Sequence, residues 1–346
     1  MTDPYDLIGL GPAALDAYLR AHIAGFAGID WIEKCGTGQS NPTFIIVTPD
    51  RNYVLRTKPQ GELLKSAHAV DREFRVMAAL RGSDVPVPQV YHLATDEASP
   101  TGRAFYVMEH IKGRVFRDPA LPDLSKPDRT AAFGAMNAAL AALHAVDVEK
   151  AGLADYGKAG NYFARQTDRW TRQYLASVLE PDKGMLAIID WLNAHMPPDD
   201  RRVALVHGDW RHDNFIFALD RPEIVAVLDW ELSTLGHPFA DLAYQCMQWR
   251  LPNDGDMPGL GGVDRATYGI PTEAEYVASY CKHAGLTEIP RFSFYLVFAF
   301  FRLAAILAGV AAREKAGNAS DPETARKYGR IVPQLIALAG GVIGDD

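Results

Sequence analysis

The sequence predicts an α+β fold, with strands and one helix in the first third of the chain and mainly helices in the rest. Short apolar, β-prone segments alternate with turn signals before Gly113. After Gly113, apolar residues recur at steps of three and four. The chain has 346 residues, 48% of them apolar, which is enough for one large domain or two packed lobes.

The first third is predicted to contain three strands and one helix. The strands are Thr43–Val47, Tyr53–Leu55 and Ala104–Met108. Between the second and third strands, the apolar periodicity of Glu62–Leu80 predicts a helix that ends before Gly82. Glu73 lies on or beside the apolar face of this helix, so its carboxylate is expected to have a partner.

The remaining chain is predicted to be helical, with three short strands. The helices are Thr130–Ala145, Asn161–Val178, Gly184–His195, Pro238–Trp249, Glu273–His283, Phe292–Lys315 and Pro322–Leu338. The strands are Val203–Val206, Phe215–Ala218 and Ile224–Leu228, the last two as a hairpin. Leu251–Gly269 is an unusually long loop, which suits either a substrate wall or a plain surface loop.

Charge and cysteine content exclude several classes of protein. The net charge of −8 disfavours general binding to nucleic acid or to an anionic membrane. The three cysteines lie far apart, which argues against a disulfide framework and a thiolate zinc site. The first residues, MTDPYDLIGLGP, have no basic region before an apolar run, so they do not resemble a secretory signal. A cytoplasmic location is therefore expected.

One apolar segment is almost long enough to cross a membrane. Phe292–Ala311 carries Arg302 near its middle, and a charge is costly at that depth in lipid. Helices that are apolar on all sides also occur in the cores of large proteins. The sequence favours a buried core helix with a partner for Arg302.

The densest polar segment is His207–Asn214 (HGDWRHDN), which lies between two predicted strands. A kinase catalytic loop needs an acid that orients the attacking hydroxyl, an Asn five positions later for magnesium, and a later Asp for the same metal. Asp209, Asn214 and Asp229 have this spacing. The motif alone is also compatible with a hydrogen-bonded Asx turn, and Glu231 is a further candidate near the metal or a solvent-facing acid.

Upstream residues supply the other half of a phosphate-binding site. Gly36–Thr43 is a turn of small residues whose N–H groups suit nucleotide phosphates, although it is equally compatible with a plain turn. Arg56 ends the next strand, and Glu73 follows on the predicted helix. This order matches the strand cation and helix acid of kinases, with Arg where Lys is usual. A purely structural salt bridge is the alternative.

Five segments together resemble a known enzyme superfamily. They are GTGQSNPTF, YVLRTKP, FYVMEHIKGRVF, LVHGDWRHDNFIF and VLDWELSTLGHPFADLAY. The sequence resembles the aminoglycoside phosphotransferase and choline kinase superfamily over nearly its whole length, from about Gly36 to Leu338. More narrowly, it resembles kinase-like proteins related to domains fused to acyl-CoA dehydrogenases, in which an Arg at the position of Arg56 is usual.

The resemblance implies a bilobal protein-kinase-like fold. A small N-terminal lobe, residues 1–109, would consist of an antiparallel β-sheet with a helix and bind the nucleotide. A larger, mainly α-helical lobe, residues 110–346, would carry the catalytic loop and the acceptor site. His207 and Asp241 would support the catalytic loop rather than react.

The resemblance also implies the roles of individual residues. Asp209 would be the catalytic base, and Asn214 and Asp229 would bind magnesium. Arg56, with Glu73, would position the phosphates of ATP. The other expected nucleotide contacts are Gly38, Ser40 and Asn41 in the small-residue turn, and Glu109 and Ile111 in the hinge between the lobes.

We therefore expect an ATP-dependent phosphotransferase that acts on the hydroxyl group of a small molecule. The acceptor is open: aminoglycosides suit the wider superfamily, and a hydroxylated acyl or acyl-CoA metabolite suits the narrower group. A non-catalytic nucleotide-binding module is one rival. A non-haem iron oxygenase with His207, Asp209 and His237 as ligands is another, although the helical surroundings disfavour it.

Overall fold

The computed structural model describes residues 3–35, 41–60, 69–315, 317 and 321–345. The chain divides into two compact units. Unit 1 consists of Met1–Gly113 and Val225–Leu232, and unit 2 of Arg114–Ile224 and Ser233–Asp346. The short segment Val225–Leu232 thus belongs with the N-terminal part of the chain.

Unit 1 is built on a five-stranded antiparallel sheet. Its strands are β1 (Trp31–Lys34), β2 (Thr43–Val47), β3 (Asn52–Thr57), β4 (Val90–Ala94) and β5 (Phe105–Glu109), in the order β1-β2-β3-β5-β4. Its helices are α1 (Pro4–Ile8), α2 (Pro12–His22) and α3 (Val70–Leu80). β3 is therefore the central strand, hydrogen-bonded to β2 along one edge and to β5 along the other.

The two faces of the sheet have different roles. Tyr53 and Leu55 of β3 belong to a core cluster with Leu15 and Leu19 of α2. Side chains alternate along a strand, so Arg56 lies on the opposite face. α3 packs against β4 and β5. One face therefore forms the apolar core, and the other presents a cation beside an acidic helix.

Unit 2 is mainly helical. Its helices are α4 (Lys126–His144), α5 (Tyr162–Ser177), α6 (Lys183–Ala194), α7 (Phe239–Cys246), α8 (Arg265–Tyr268), α9 (Glu273–His283), α10 (Phe292–Lys315) and α11 (Pro322–Gly344). The remaining strands of the chain are β6 (Ala204–Val206), β7 (Phe215–Phe217), β8 (Ile224–Val227) and β9 (Thr234–Gly236). β6 pairs antiparallel with β9. The predicted fold class is confirmed: an antiparallel sheet occurs in the N-terminal region and helices dominate the rest.

α10 is the central helix of unit 2 and packs against α5, α6, α7 and α11. Among the described residues, α10 is the one helix that is long and apolar enough to cross a membrane. In its most apolar stretch, 83% is buried inside the protein. The Arg302 guanidinium lies 5.9 Å from the ring centre of Trp170 and 5.7 Å from that of Tyr244. This burial and these cation–π partners favour the predicted core helix.

Most predicted elements agree with the structure to within a few residues, and the differences have physical reasons. α1, α2, β1 and β4 were not predicted, because their short apolar patterns are weak signals. The described part of the predicted helix Glu62–Leu80 begins at Val70, and residues 61–68 lie outside the described residues. The predicted loop Leu251–Gly269 contains the short helix α8.

We expect Trp170→Ala to lower the free energy of unfolding by about 3–5 kcal/mol. The indole is only 7% exposed and contacts the cation of the central helix. Trp31→Ala removes the same side chain where it is 56% exposed, and should change stability by less than about 0.5 kcal/mol. Urea denaturation followed by circular dichroism measures both, and equal losses would contradict this assignment of the core.

Candidate active site

The loop His207–Asn214 follows the buried strand β6 in unit 2, and its first residues are held by Asp241. The Oδ2 atom of Asp241 accepts a hydrogen bond from the backbone N–H of His207 at 2.6 Å, and Oδ1 accepts one from that of Gly208 at 2.9 Å. Gly208 has a φ of +84°, which favours glycine. Asp241 thus fixes the backbone that leads into Asp209, the supporting role implied by the resemblance.

Asp241 is only 1% exposed and is itself supported by a histidine. His144 Nε2 lies 3.5 Å from its Oδ2 atom, and His144 Nδ1 lies 2.7 Å from the hydroxyl of Tyr280. Burial raises the pKa of Asp241, but His144, His207 and the backbone hydrogen bonds outweigh it, so the pKa lies below its ordinary value. The carboxylate therefore stays charged. Sequence reasoning did not identify His144 or Tyr280.

Asp209 and Asn214 lie close together. Asn214 Nδ2 donates to the backbone carbonyl of Asp209 at 2.8 Å and to its Oδ2 atom at 3.1 Å. Asn214 ends a single turn of 3₁₀ helix, His212–Asn214, which turns its side chain back toward Asp209. Tyr244 of α7 also hydrogen-bonds the Asp209 side chain, and burial together with the Asp209 charge raises the pKa of this tyrosine well above its ordinary value.

The residues beside Asp209 are ordered by their own contacts. Arg211 Nε and Nη2 donate to the two carboxylate oxygens of Asp213 at 2.7 and 2.5 Å, a bidentate pair. Burial raises the pKa of Asp213, but Arg211 outweighs it, and the net shift is downward. His212 is buried, with Nε2 3.0 Å from the backbone carbonyl of Arg117. His212 is therefore a buried part of the loop.

In unit 1, Arg56 and Glu73 form the pair that the sequence predicted. Arg56 Nε lies 3.0 Å from Glu73 Oε2, and Glu73 is 1% exposed. The Tyr106 hydroxyl donates to Glu73 Oε2 at 3.1 Å, and Asn41 Nδ2 donates to Oε1 at 2.8 Å. Arg56 is opposite Tyr106 in the sheet register, which puts both side chains on the same face. The buried carboxylate thus has three donors.

Asp229 meets the same arginine in unit 1. Arg56 Nη2 lies 2.8 Å from Asp229 Oδ1 and 3.9 Å from Glu231 Oε2. Burial lowers the pKa of Arg56, but Glu73, Tyr106 and the two other acids outweigh it, so it stays cationic. Asp229 has a φ of +63°, an uncommon conformation for a residue with a side chain. One guanidinium thereby orients the acid of α3 and the acid of the Val225–Leu232 segment.

The other residues predicted to contact the nucleotide are Asn41, Glu109, Ile111, Gly38 and Ser40. Asn41 is buried with its amide on Glu73. Glu109 ends β5, and its N–H donates to the carbonyl of Gln89 at 2.7 Å. Ile111 follows outside any helix or strand before Gly113. Gly38 and Ser40 lie outside the described residues. Direct contact of these residues with a nucleotide stays a prediction.

A model of a known protein family matches the part of the chain that contains these residues. The model of the phosphotransferase enzyme family (APH) matches residues 31–292, about three quarters of the chain. The chain belongs to the phosphotransferase enzyme family. The range includes both the Arg56–Glu73–Asp229 cluster and the His207–Asn214 loop. The predicted family is therefore confirmed.

Curated relatives support the narrower resemblance as well. The chain is 46% identical over 328 residues to acyl-CoA dehydrogenase family member 10 of Mus musculus, covering 94% of this chain and 30% of that protein. It is 38% identical over 316 residues to acyl-CoA dehydrogenase family member 11 of Homo sapiens, covering 90% of this chain and 40% of that protein. The chain thus spans less than half the length of these relatives.

Solved structures agree with the family. A candidate aminoglycoside phosphotransferase from Ralstonia eutropha JMP134 is 44% identical, with a TM-score of 0.87 over 97% of this chain and 98% of that chain. A thermostable mutant of the aminoglycoside phosphotransferase APH(4)-Ia, in a ternary complex with AMP-PNP and hygromycin B, is 18% identical. Its TM-score is 0.61 over 94% of this chain and 99% of that chain, a similarity of fold.

The arrangement does not suit the rival iron site. His207 Nδ1 accepts the backbone N–H of Asp209 at 3.2 Å, and His237 Nε2 lies 3.2 Å from Asp200. Among the described residues, no group of three histidine, cysteine or acidic side chains is arranged to hold a metal ion. Both histidines thus have structural partners, and membership of the phosphotransferase family favours the kinase interpretation over an oxygenase.

We expect Asp241→Asn to lower the free energy of unfolding by about 2–4 kcal/mol at neutral pH, because the amide cannot accept both backbone N–H groups. The folded-state pKa of Asp241 lies below its unfolded value. Its contribution is therefore present above the unfolded pKa and is lost as pH falls through the folded pKa. The gap between wild type and variant should shrink toward acid pH.

Urea denaturation at a series of pH values measures this gap. Asp220→Asn is the matched control, because Asp220 is exposed and its carboxylate pairs with the neighbouring Arg221. The control should have nearly the stability of the wild type throughout. A gap that widens as pH falls would contradict the role of Asp241 as a charged anchor.

Proposed function

We propose that this protein transfers the γ-phosphate of ATP to the hydroxyl group of a small molecule, with Asp209 as the catalytic base. The observation that carries the proposal is the Asp209–Asn214 pair, anchored through Asp241 within a member of the phosphotransferase family. Asp209 orients the acceptor hydroxyl and accepts its proton as the new P–O bond forms. ADP is the leaving group.

The metal role falls to Asn214 and Asp229. Carboxylate and amide oxygens are the protein ligands that Mg²⁺ prefers. The amide nitrogen of Asn214 donates to Asp209, which leaves its carbonyl oxygen available as a ligand. Asp229 has one oxygen on Arg56, and its second has no partner among the residues that the structure describes. Each of these oxygens is a ligand of the kind that a magnesium ion takes, and the ion would neutralise charge on the phosphates of ATP.

Nucleotide binding is proposed for residues 1–109, and acceptor binding for residues 110–346. Arg56 would contact the phosphates while Glu73 holds its guanidinium. Because the cation is already oriented, little free energy is lost in ordering it when ATP binds. Backbone groups of Glu109 and Ile111 would meet adenine. Gly38, Ser40 and Asn41 would approach the phosphates through backbone N–H groups. Relatives of the same fold that were solved with AMP-PNP or ADP support the nucleotide.

A hydroxylated acyl group, free or as a coenzyme A thioester, is the acceptor class that we favour. The support is the similarity to curated relatives named as acyl-CoA dehydrogenase family members. The three free thiols, Cys35, Cys246 and Cys281, suit a reducing compartment such as the cytoplasm.

We expect Asp209→Asn to reduce kcat by at least about a hundredfold while the Kd for magnesium-ATP stays within about threefold of wild type. The amide cannot accept the proton of the acceptor, but it keeps the size of the side chain and one acceptor oxygen. ADP release and nucleotide titration measure the two quantities. Asp220→Asn, at an exposed turn, is the matched control and should retain full turnover. Undiminished turnover by Asp209→Asn would refute its role as the base.

A further inference from the structure

A cavity of about 220 Å³ lies within unit 2 beside the catalytic loop. At about 30 Å³ per water molecule, this volume corresponds to roughly seven waters, enough for a small acid or the acyl part of a larger molecule. Its walls come from the loop after Asp209, from α7, from the segment after Leu251 and from the first turns of α11. The sequence predicts either a substrate wall or a plain surface loop for Leu251–Gly269. Part of this segment lines the cavity, which favours the substrate wall.

The cavity adjoins the proposed base through two elements. Arg211 and His212, which line it, follow Asp209 by two and three residues. Tyr244, which also lines it, hydrogen-bonds the Asp209 side chain. A molecule in the cavity is thus close to the residue proposed to take the proton of the acceptor. This placement suits an acceptor, because its hydroxyl has to reach that residue.

The charged groups around the cavity are in cationic excess. Arg211 is balanced by Asp213. Asp256 is shared by two cations, with Lys327 Nζ at 3.7 Å and Arg330 Nη2 at 3.2 Å. Arg117 lines the cavity, is exposed, and has no ion pair with any residue that the structure describes. With Asp209, whose charge also acts on Arg211, the cluster carries four cations, Arg117, Arg211, Lys327 and Arg330, against three carboxylates, Asp209, Asp213 and Asp256.

The rest of the wall is partly apolar. Its apolar residues are Met247, Leu251, Met257, Pro258 and Leu303, and Gln248 and Thr324 are polar. Methionine side chains adapt to ligands of different shape, and the apolar surface favours a hydrocarbon segment over a sugar. An apolar pocket with cations at its rim suits an amphiphilic anion. The same cations would repel the amino groups of an aminoglycoside.

We propose that Arg117 and Lys327 are the residues that determine acceptor specificity, by binding a carboxylate or phosphate group of a hydroxylated, partly apolar acceptor. This inference rests on the proposed phosphotransferase function. Within the part of the chain that the structure describes, Arg117 has no ion pair, and Lys327 shares the carboxylate of Asp256 with Arg330, so both can pair with an anionic ligand. Arg211, held by Asp213, keeps the wall beside the base in place. Polycationic acceptors are excluded by charge.

Calorimetric titration of the full chain without nucleotide tests the site directly. The probes are 6-hydroxyhexanoate against its amide, sn-glycerol 3-phosphate against glycerol, and kanamycin. We expect an anion to bind at least about tenfold more tightly than its neutral counterpart. The first pair tests a carboxylate and the second a phosphate. Lys327→Met and Arg117→Met should each weaken binding of the preferred anion about tenfold and leave that of the neutral counterpart unchanged.

Arg326→Met is the matched control, because Arg326 precedes Lys327 on α11 but pairs with Glu314 and does not line the cavity. It should bind all probes like wild type. The proposal is overturned if neither anion binds better than its neutral counterpart, if both variants bind anions normally, or if kanamycin binds most tightly. Turnover with magnesium-ATP is measured separately: an anion that binds selectively but is not phosphorylated counts against the proposed function and leaves the anion site standing.

Discussion

Two backbone N–H groups at the start of the His207–Asn214 loop donate to one buried carboxylate, that of Asp241, at 2.6 and 2.9 Å. The loop leaves a three-residue strand and would otherwise have its buried donors unsatisfied. Because His144 keeps the carboxylate charged, these hydrogen bonds are charge-assisted and fix the backbone of Asp209. The hydrogen bonds of Asn214 and Tyr244 with Asp209, and the cavity wall at Arg211, all follow from that fixed backbone.

In unit 2 a buried anion, Asp241, holds the loop; in unit 1 a buried cation, Arg56, has the comparable role. The Arg56 guanidinium contacts Glu73 and Asp229, so one buried cation orients an acid from α3 and an acid from the distant Val225–Leu232 segment. Two separate nitrogen atoms make these contacts, which the single ammonium of lysine does not reproduce. The substitution of arginine for the usual lysine is therefore a feature of the site's geometry. The left-handed backbone of Asp229 is held in the same cluster.

Much of this could be predicted from the sequence, because it depends on local pattern. Two elements have the predicted bounds, the helix Glu273–His283 and the strand Thr43–Val47. The Arg56–Glu73 pair was predicted from a cation at a strand end and an acid on a helix face. The contacts that sequence reasoning missed join distant positions. His144 meets Asp241 across 97 residues, and Arg117 and Lys327 line one cavity. No periodicity or spacing in the sequence marks either pair of residues, because only tertiary packing brings them together.

Phosphoryl transfer from ATP to an acceptor hydroxyl gives a phosphate monoester, which phosphorus NMR observes directly. The wild-type protein would be incubated with magnesium-ATP and a hydroxyalkanoate or its coenzyme A thioester. Our account predicts that the γ-phosphate signal of ATP is replaced by a phosphate monoester signal that is coupled to the protons of the acceptor carbon. Conversion of ATP only to ADP and inorganic phosphate, or no loss of ATP with any hydroxylated acceptor, would contradict it.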